Sequence, residues 1–362
     1  MLRDIARHHV VTPVKAIALR SWQPRIVFLG AGAIGGSVAA WLAESYPKVA
    51  VLDLGPQAEA IRERGITVYP QGRQDLAHPV RVTVLDSMDD LRKDDVVVVG
   101  VKNYSLHAVA RELHARLGDA PVVVAMQNGV ENQAILPKFF SKVIYCVISY
   151  NAWLDRPGVI GYQKKGPLHF GTLNRSLESR TVALARLFSQ GVETEVSHRI
   201  NDAAHCKLVI NLTNSLTTLI GLNVRPIDDM DCFQQVLSNL CWEGVQIVRA
   251  AGVREVALGG MPSWKLLRLS ALLPRKLTRR LFEKNVAKMV MSSMAQDVLQ
   301  RGGNQSELES INGYLLSLAD RHGLAVPYNR AVYALARHNF GREDFAPMDI
   351  RLVLKAVEAQ MK

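Results

Sequence analysis

Cysteine is scarce in this chain of 362 residues, which contains only Cys146, Cys206, Cys232 and Cys241. The four cysteines form no CxxC pair and no cluster with histidine at the spacing of metal ligands. This excludes the disulfide framework of small secreted proteins and the zinc sites that such spacings mark. The sequence therefore predicts a cytoplasmic protein without a metal site.

Long apolar runs are also missing. The stretch VVVVGV at 96–101 has the length of a buried strand and falls short of the roughly 18 residues that cross a bilayer. The first residues lack the apolar core and cleavage site of a secretory signal, although their arginines and few acids resemble a transit peptide. We expect residues 1–24 to be a poorly ordered N-terminal extension or the product of a start codon set too early.

Acidic residues are depleted in two segments. The net charge is +11, of which residues 1–25 contribute +4 and residues 261–290 contribute +7, since only Glu283 opposes the basic residues of the second segment. Confinement of the excess positive charge to these segments, where aromatics are not regularly interleaved with the basic residues, disfavours a nucleic-acid groove. For 261–282, where Leu and Trp alternate with basic residues, we favour a cleft wall or subunit contact over a membrane surface.

A glycine-rich turn marks the first strand-to-helix transition. RIVFLG at 25–30 is a short apolar run, and GAGAIGGSVAAWLAES at 30–45 changes from strand to helix periodicity. In this context the glycines permit a tight turn, a close approach of the backbone to a pyrophosphate, and packing of the helix on the strand. The helix N-terminus adds a partial positive charge. The predicted dinucleotide-binding loop comprises Gly30, Ala31, Gly32, Ala33, Ile34 and Gly35.

An acidic residue, Asp53, ends the second apolar run, KVAVLDLG at 48–55. Dinucleotide-binding folds place a ribose-binding carboxylate about 20 residues after the glycines. A carboxylate there accepts hydrogen bonds from the 2′-hydroxyl and repels a 2′-phosphate, so NAD(H) is predicted over NADP(H). The alternative is that Asp53 only caps the following helix.

Further apolar runs alternate with helical stretches up to residue 198, and strands are predicted at 81–85, 96–102, 122–129, 143–154, 166–171 and 192–196. Such alternation builds a parallel sheet that binds ligands at the carboxyl ends of its strands, where Lys102 and the turn at 127–129 lie. From residue 199 the patterns are helical, including one predicted helix over 284–302. We predict an α/β Rossmann domain at 25–198, an all-α domain at 199–362 and a cleft between them.

A lysine interrupts the apolar predicted helix AHCKLVINLTNSLTTLIG at 204–221. Asn211 and Asn214 follow Lys207 at spacings of four and seven, so the three side chains form one narrow polar stripe. An unpaired charge among Leu, Val and Ile is costly, which favours a site for a polar ligand. The alternative is that the Lys207 stem extends over apolar neighbours to solvent and the amides only link helices.

The motifs together resemble the ketopantoate reductase (2-dehydropantoate 2-reductase) family from residue 25 almost to the end of the chain. Their order and spacing carry the resemblance: GAGAIGG (30–36), VKNY (101–104), MQNGV (126–130), KLVINLTNSLTTL (207–219), SSMAQDV (292–298) and SELESINGYLLSLADRHGLAVPYNRAVYAL (306–335). The resemblance implies a Rossmann domain, an all-α domain and NAD(P)H-dependent reduction of a small 2-keto acid, in the family ketopantoate, to its 2-hydroxy acid in pantothenate biosynthesis.

The same resemblance assigns roles to particular residues. It makes Lys207 the catalytic lysine that protonates the substrate oxygen and Glu307 the acid that orients lysine and substrate, with Glu309 as the alternative. It implies substrate contacts for Asn211, Asn214, Ser293 and Asn128. It also implies that Lys102 and Asn128 close the cofactor site.

Two departures from the family pattern affect recognition. Asp53-Leu54 stands where members that prefer NADPH carry an arginine, and Asn214 precedes Ser215 where the family has a proline after its second asparagine. Alternatives therefore remain: an NAD-dependent D-2-hydroxyacid dehydrogenase for another 2-keto acid, a β-hydroxyacid or opine dehydrogenase, and a non-catalytic NAD-binding protein. The sequence is also compatible with a homodimer.

Overall fold

The computed structural model describes residues 22–300 and 306–361, so the predicted extension 1–24 lies almost entirely outside the described residues. The strands are β1 (Ile26–Leu29), β2 (Val49–Leu52), β3 (Ile66–Pro70), β4 (His78–Val80), β5 (Thr83–Val84), β6 (Val96–Val99), β7 (Val122–Ala125), β8 (Val143–Ile148), β9 (Ala152–Arg156), β10 (Val159–Tyr162), β11 (Leu168–Gly171) and β12 (Thr194–Val196). The helices between them are α1 (Ala33–Ala43), α2 (Gly55–Arg64), α3 (Asn103–Leu117), α4 (Asn132–Ile135) and α5 (Glu178–Phe188).

Helices follow from residue 200 onward. They are α6 (Ile200–Ile220), α7 (Met230–Ala250), α8 (Trp264–Leu272), α9 (Arg275–Val286), α10 (Ser293–Ala295), α11 (Tyr314–Arg321), α12 (Pro327–Asn339) and α13 (Ile350–Gln360). Two π-helical turns, Gln296–Gln300 and Glu309–Gly313, adjoin α10 and α11. No helix among the described residues is long and apolar enough to span a bilayer.

The main sheet has eight strands in the order β12-β11-β8-β7-β6-β1-β2-β5. Neighbouring strands are parallel except β8 and β11, which pair antiparallel. Its central strands consist of valine, isoleucine and other apolar residues buried on both faces, as expected for a covered parallel sheet. β1 lies between β2 and β6, so the loops after these three strands meet at one edge of the sheet.

The two faces of the main sheet belong to different hydrophobic cores. Ile26 and Phe28 point into a core shared with α1 and α5. Val27 and Leu29 point to the opposite face, whose core is continuous with the buried residues of the helical half, including Ile200 and Ala203 of α6. Helix α6 packs directly on β8 and β11. The helical half is therefore anchored on the sheet itself.

The predicted Rossmann and all-α architecture is confirmed, whereas two predicted elements are wrong. The strand predicted over 143–154 is two strands, because β8 joins the main sheet and β9 joins a separate four-stranded sheet, β4-β3-β10-β9. The helix predicted over 284–302 is interrupted, because α9 ends at Val286 and a new helix starts after Ser292, whose hydroxyl accepts a hydrogen bond from Ala295 N. The predicted boundary at 198 falls between β12 and α6.

Candidate active site

The glycine-rich turn joins β1 to α1 in a conformation that requires glycine at two positions. Gly30 has φ +98°, and a Cβ there would lie 3.1 Å from Gly100 C. A Cβ on Gly35 would lie 2.1 Å from Gly30 O, so the first turn of α1 contacts the turn before it. Gly100, at the end of β6, completes this close packing and was not singled out from the sequence.

The same turn leaves room for an anionic ligand. A Cβ on Gly32 would meet no atom within 4 Å. Gly32 is also the N-cap of α1, which has no side-chain cap and no acidic residue in its first turn. Ala33 and Ile34 begin this helix, so their backbone N–H groups are among those left without an intrahelical partner. An open approach, free donors and the positive end of a helix dipole fit the pyrophosphate of a dinucleotide.

Asp53 follows β2 and is bound to the glycine-rich turn. Its Oδ2 accepts a hydrogen bond of 2.6 Å from Ala31 N, and its Oδ1 accepts one of 2.7 Å from Leu54 N. The alternative that Asp53 caps α2 is wrong, since the N-cap of that helix is Leu54 and no side chain caps it. Each carboxylate oxygen has a further lone pair, which a ribose hydroxyl can use.

Lys207 and Asn128 meet across the two halves of the chain. Asn128 lies in the loop after β7, and its Oδ1 accepts a hydrogen bond of 2.8 Å from Lys207 Nζ in α6. Asn128 Nδ2 donates to Glu307 Oε2 at 3.1 Å. The side chain of Asn103 donates to the backbone oxygen of Asn128 and fixes the loop. The amide thus links an ammonium to a buried carboxylate.

A second lysine joins this cluster at the Glu307 oxygen that Asn128 contacts. Lys102 Nζ lies 3.0 Å from Asp297 Oδ2 and 3.5 Å from Glu307 Oε2. Asp297 was missed in the sequence, although it follows Ser293 by one helical turn within SSMAQDV. The structure brings together four residues to which the resemblance gave roles, Lys102, Asn128, Lys207 and Glu307. The alternative Glu309 instead accepts hydrogen bonds from the Tyr333 hydroxyl.

Neighbouring carboxylates give the two lysines different pKa values. Burial lowers the pKa of Lys207 to about 8, and the charge of Glu307 opposes that shift. Burial also lowers the pKa of Lys102, but Glu307 and Asp297 outweigh it, so the pKa of Lys102 is raised. Near neutral pH Lys102 is a fixed cation, whereas Lys207 can release and regain a proton.

Three predicted substrate contacts keep their polar side chains available. Asn211 lies one turn after Lys207 on α6, and Asn214 lies about one turn further. Among the described residues, no hydrogen bond involves the side chains of Asn211, Asn214 or Ser293. The cap of α10 is Ser292, which leaves the hydroxyl of Ser293 unused. No group of three or more metal-ligating side chains occurs within the described ranges.

Two models of one known protein family together match most of the chain. The model of the ketopantoate reductase PanE/ApbA family matches residues 26–175, and the model of its C-terminal domain matches residues 199–339. The chain belongs to the ketopantoate reductase family. This confirms the predicted family and the predicted class of enzyme, an oxidoreductase acting on CH–OH groups with a nicotinamide cofactor.

Individual relatives extend this result. A 2-dehydropantoate 2-reductase of Halobacterium salinarum is 29% identical over 321 residues, which cover 86% of this chain and 98% of the relative. The crystal structure of a PanE/ApbA family ketopantoate reductase from Ralstonia eutropha superposes with a TM-score of 0.67 at 23% identity, covering 92% of this chain and 99% of that one. The ternary structure of D-mandelate dehydrogenase with NADH and anilino(oxo)acetate superposes with a TM-score of 0.69 at 17% identity, again covering 92% of this chain and 99% of that one. At these identities the two structures establish a shared fold.

Proposed function

We propose that this ketopantoate reductase family member reduces the carbonyl of a small 2-keto acid to a hydroxyl, with 2-dehydropantoate as the first candidate substrate. The observation that carries the proposal is the hydrogen-bonded series Lys207–Asn128–Glu307, which joins a lysine of lowered pKa to the loops around the glycine-rich turn. A carbonyl reductase needs such a proton donor beside a dinucleotide site.

Each residue of the site has a task in this reaction. When bound, the nicotinamide supplies the hydride that reaches the carbonyl carbon. Lys207 donates its proton to the carbonyl oxygen and stabilises the negative charge that develops there. Asn128 holds the ammonium in place through Oδ1, and Glu307 holds Asn128. The free polar groups of Asn211, Asn214 and Ser293 bind the substrate carboxylate.

The direct test is an initial-rate comparison with NADH and NADPH against 2-dehydropantoate and a panel of other 2-keto acids. We expect turnover of at least one 2-keto acid. Dinucleotide binding without turnover of any acid would favour the alternative of a non-catalytic NAD-binding protein. Turnover restricted to other acids with NADH would favour the second candidate, an NAD-dependent D-2-hydroxyacid dehydrogenase, which the Asp53 carboxylate beside the glycine-rich turn supports.

The pH dependence of this reaction follows from the pKa of Lys207. Reduction needs the protonated amine, so kcat/KM for the keto acid should be constant at low pH and fall as the pH rises through about 8. Oxidation of the hydroxy acid needs the neutral amine and should rise over the same range. Measurement of kcat/KM in both directions checks this, because it reports groups of the free enzyme. A reduction rate independent of pH through this range would contradict proton donation by Lys207.

Cofactor preference depends on the end of β2 in this proposal. Asp53 repels a 2′-phosphate, and Leu54 beside it is 80% exposed and offers no cation, so we expect kcat/KM to be higher with NADH than with NADPH. Leu54→Arg should raise kcat/KM for NADPH on the order of tenfold, because a guanidinium forms charge-assisted hydrogen bonds with a phosphate. Leu54→Gln is the matched neutral control. A wild-type preference for NADPH would overturn the NAD(H) prediction.

A further inference from the structure

Exposed leucines are concentrated in the hairpin formed by α8 and α9. This hairpin contains six of the thirteen large hydrophobic side chains that are exposed among the described residues, and they are between 40% and 76% exposed: Leu266, Leu269, Leu272, Leu273, Leu277 and Leu281. Leu266, Leu269 and Leu273 follow one another at spacings of three and four, and so do Leu277 and Leu281, so each group shares a helix face. Apolar patches of this kind on a folded chain mark interaction surfaces.

The opposite sides of both helices already have partners within the chain. Leu267 of α8 and Val286 of α9 are buried, and the Phe282 ring lies 5.5 Å from the Phe233 ring of α7. Both helices pack on α7. The leucines therefore cover the side of the hairpin that faces away from the protein core.

Cations border these leucines. On α9 they recur every four residues, at Lys276, Arg280 and Lys284, next to the face of Leu277 and Leu281. Lys265 and Arg268 contribute the same sign on α8. At the end of the hairpin the side chain of Gln163 donates to the Lys288 backbone oxygen at 3.0 Å, and exposed Lys164 follows Gln163 directly in the chain. The one acid of the hairpin, Glu283, accepts a hydrogen bond from Arg279.

This charge distribution decides between two occupants of the leucine face. In a symmetric dimer the same patch lies on both subunits, so a contact through this face would place these cations against each other. An anionic phospholipid surface offers phosphates to the cations and acyl chains to the leucines. We propose that the α8–α9 hairpin docks this enzyme reversibly on anionic membranes. The sequence favoured a cleft wall or subunit contact for this segment. The proposal differs because the structure exposes the leucines on the outer side of the hairpin.

The geometry is that of a peripheral contact. Each helix lies along the bilayer surface with its leucines at the boundary between headgroups and acyl chains, and the lysines and arginines contact headgroup phosphates. The hairpin contributes none of the residues Lys207, Asn128 or Glu307, so docking leaves the proposed catalytic groups intact. The surface goes beyond the proposed function and does not depend on it.

Co-sedimentation of the full chain with vesicles tests the proposal. We expect binding at low salt to vesicles of phosphatidylcholine with phosphatidylglycerol, little binding to phosphatidylcholine alone, and release at high salt. Combined Lys276→Gln, Arg280→Gln and Lys284→Gln substitutions should weaken binding roughly a hundredfold. Leu277→Ser with Leu281→Ser should weaken it at least about tenfold. Circular dichroism confirms that the variants are folded.

Matched controls lie on α13, where Leu352 and Lys355 are also exposed; Leu352→Ser and Lys355→Gln should bind vesicles as the wild type does. Absence of binding to anionic vesicles at low salt, or equal binding to both vesicle types, would overturn the proposal. Analytical ultracentrifugation without lipid tests whether a second copy of the chain occupies this face instead. If the leucine variant dissociates a wild-type dimer, the face is a subunit contact and the membrane proposal is wrong.

Discussion

Replacing Lys207 with alanine should lower kcat for keto acid reduction by about 10²- to 10⁴-fold, the range that a positioned general acid contributes. The loss has two physical sources. The carbonyl oxygen no longer receives a proton as the hydride arrives, and its developing charge loses a cation in a partly buried site. Affinity for NADH, followed by fluorescence titration, should change little, because the glycine-rich turn and Asp53 hold the dinucleotide in our proposal.

A second variant separates charge from packing. Lys207→Met keeps the apolar stem among the neighbours of α6 but removes the ammonium, so it should lose as much activity as the alanine variant while staying folded. Lys355→Ala on α13 serves as a control for removal of an exposed lysine. If the methionine variant retained near wild-type kcat, Lys207 would be a structural residue and the proposed mechanism would fail.

Replacing Asn128 with alanine should lower kcat by about 10²-fold, because misplacement of a catalytic group by about 1 Å is enough for such a loss. Asn128 makes the hydrogen bond of 2.8 Å to Lys207 Nζ and the bond of 3.1 Å to Glu307. Without the amide, the side chain at position 128 no longer holds the Lys207 ammonium or links it to Glu307. Steady-state kinetics should show the loss mainly in kcat, since Asn128 acts on the position of the proton donor.

The pH profile distinguishes this positioning from a purely electrostatic effect. Glu307 raises the pKa of Lys207 against the larger effect of burial, so Glu307→Gln should move the falling limb of the reduction profile to lower pH. Asn128→Ala leaves the net charge unchanged, so its loss of reductase activity should be equally large throughout the pH range. Asn151→Ala, an exposed loop asparagine bonded to Gln163, is the control. An Asn128→Ala enzyme with wild-type kcat would show that the amide does not position the lysine.

The glycine-rich turn could be predicted from the sequence because its constraints are local. Gly30 and Gly35 lie within six residues, and their need for glycine concerns backbone atoms of the same turn or at the end of an adjoining strand. The Rossmann alternation was visible for the same reason, since buried parallel strands are continuous apolar runs. The role of Gly100 was not visible, because it depends on β6 lying next to β1.

The candidate catalytic cluster could be assembled only through the family resemblance. Asn128 and Glu307 are separated by 179 residues, and Lys102 and Asp297 by 195. No periodicity in the sequence indicates contacts between residues that are so far apart along the chain. The stripe of Lys207, Asn211 and Asn214 was predictable, because it lies on one helix. The partner of Lys207 depends on the packing of α6 against the sheet.

The remaining errors have physical reasons as well. The run at 143–154 has no glycine or proline to mark where β8 stops, so its division between two sheets was not visible. Ser292 was a visible N-cap signal for the restart at α10, but the apolar residues on both sides of it suggested one helix. Leucines at 266–281 have helical spacing on two faces, and the sequence does not say which face meets α7.

The continuous core beneath α6 has a consequence for how this protein loses its structure. The residues that bury α6 against β8 and β11 belong to the same apolar cluster as those that hold the helical half together. Loosening α6 would therefore expose apolar surface from both halves at once, and a protein opens most readily where little such surface is exposed. We therefore expect the two predicted domains to unfold as one cooperative unit, with the segment around Lys207 among the last to exchange its amide hydrogens.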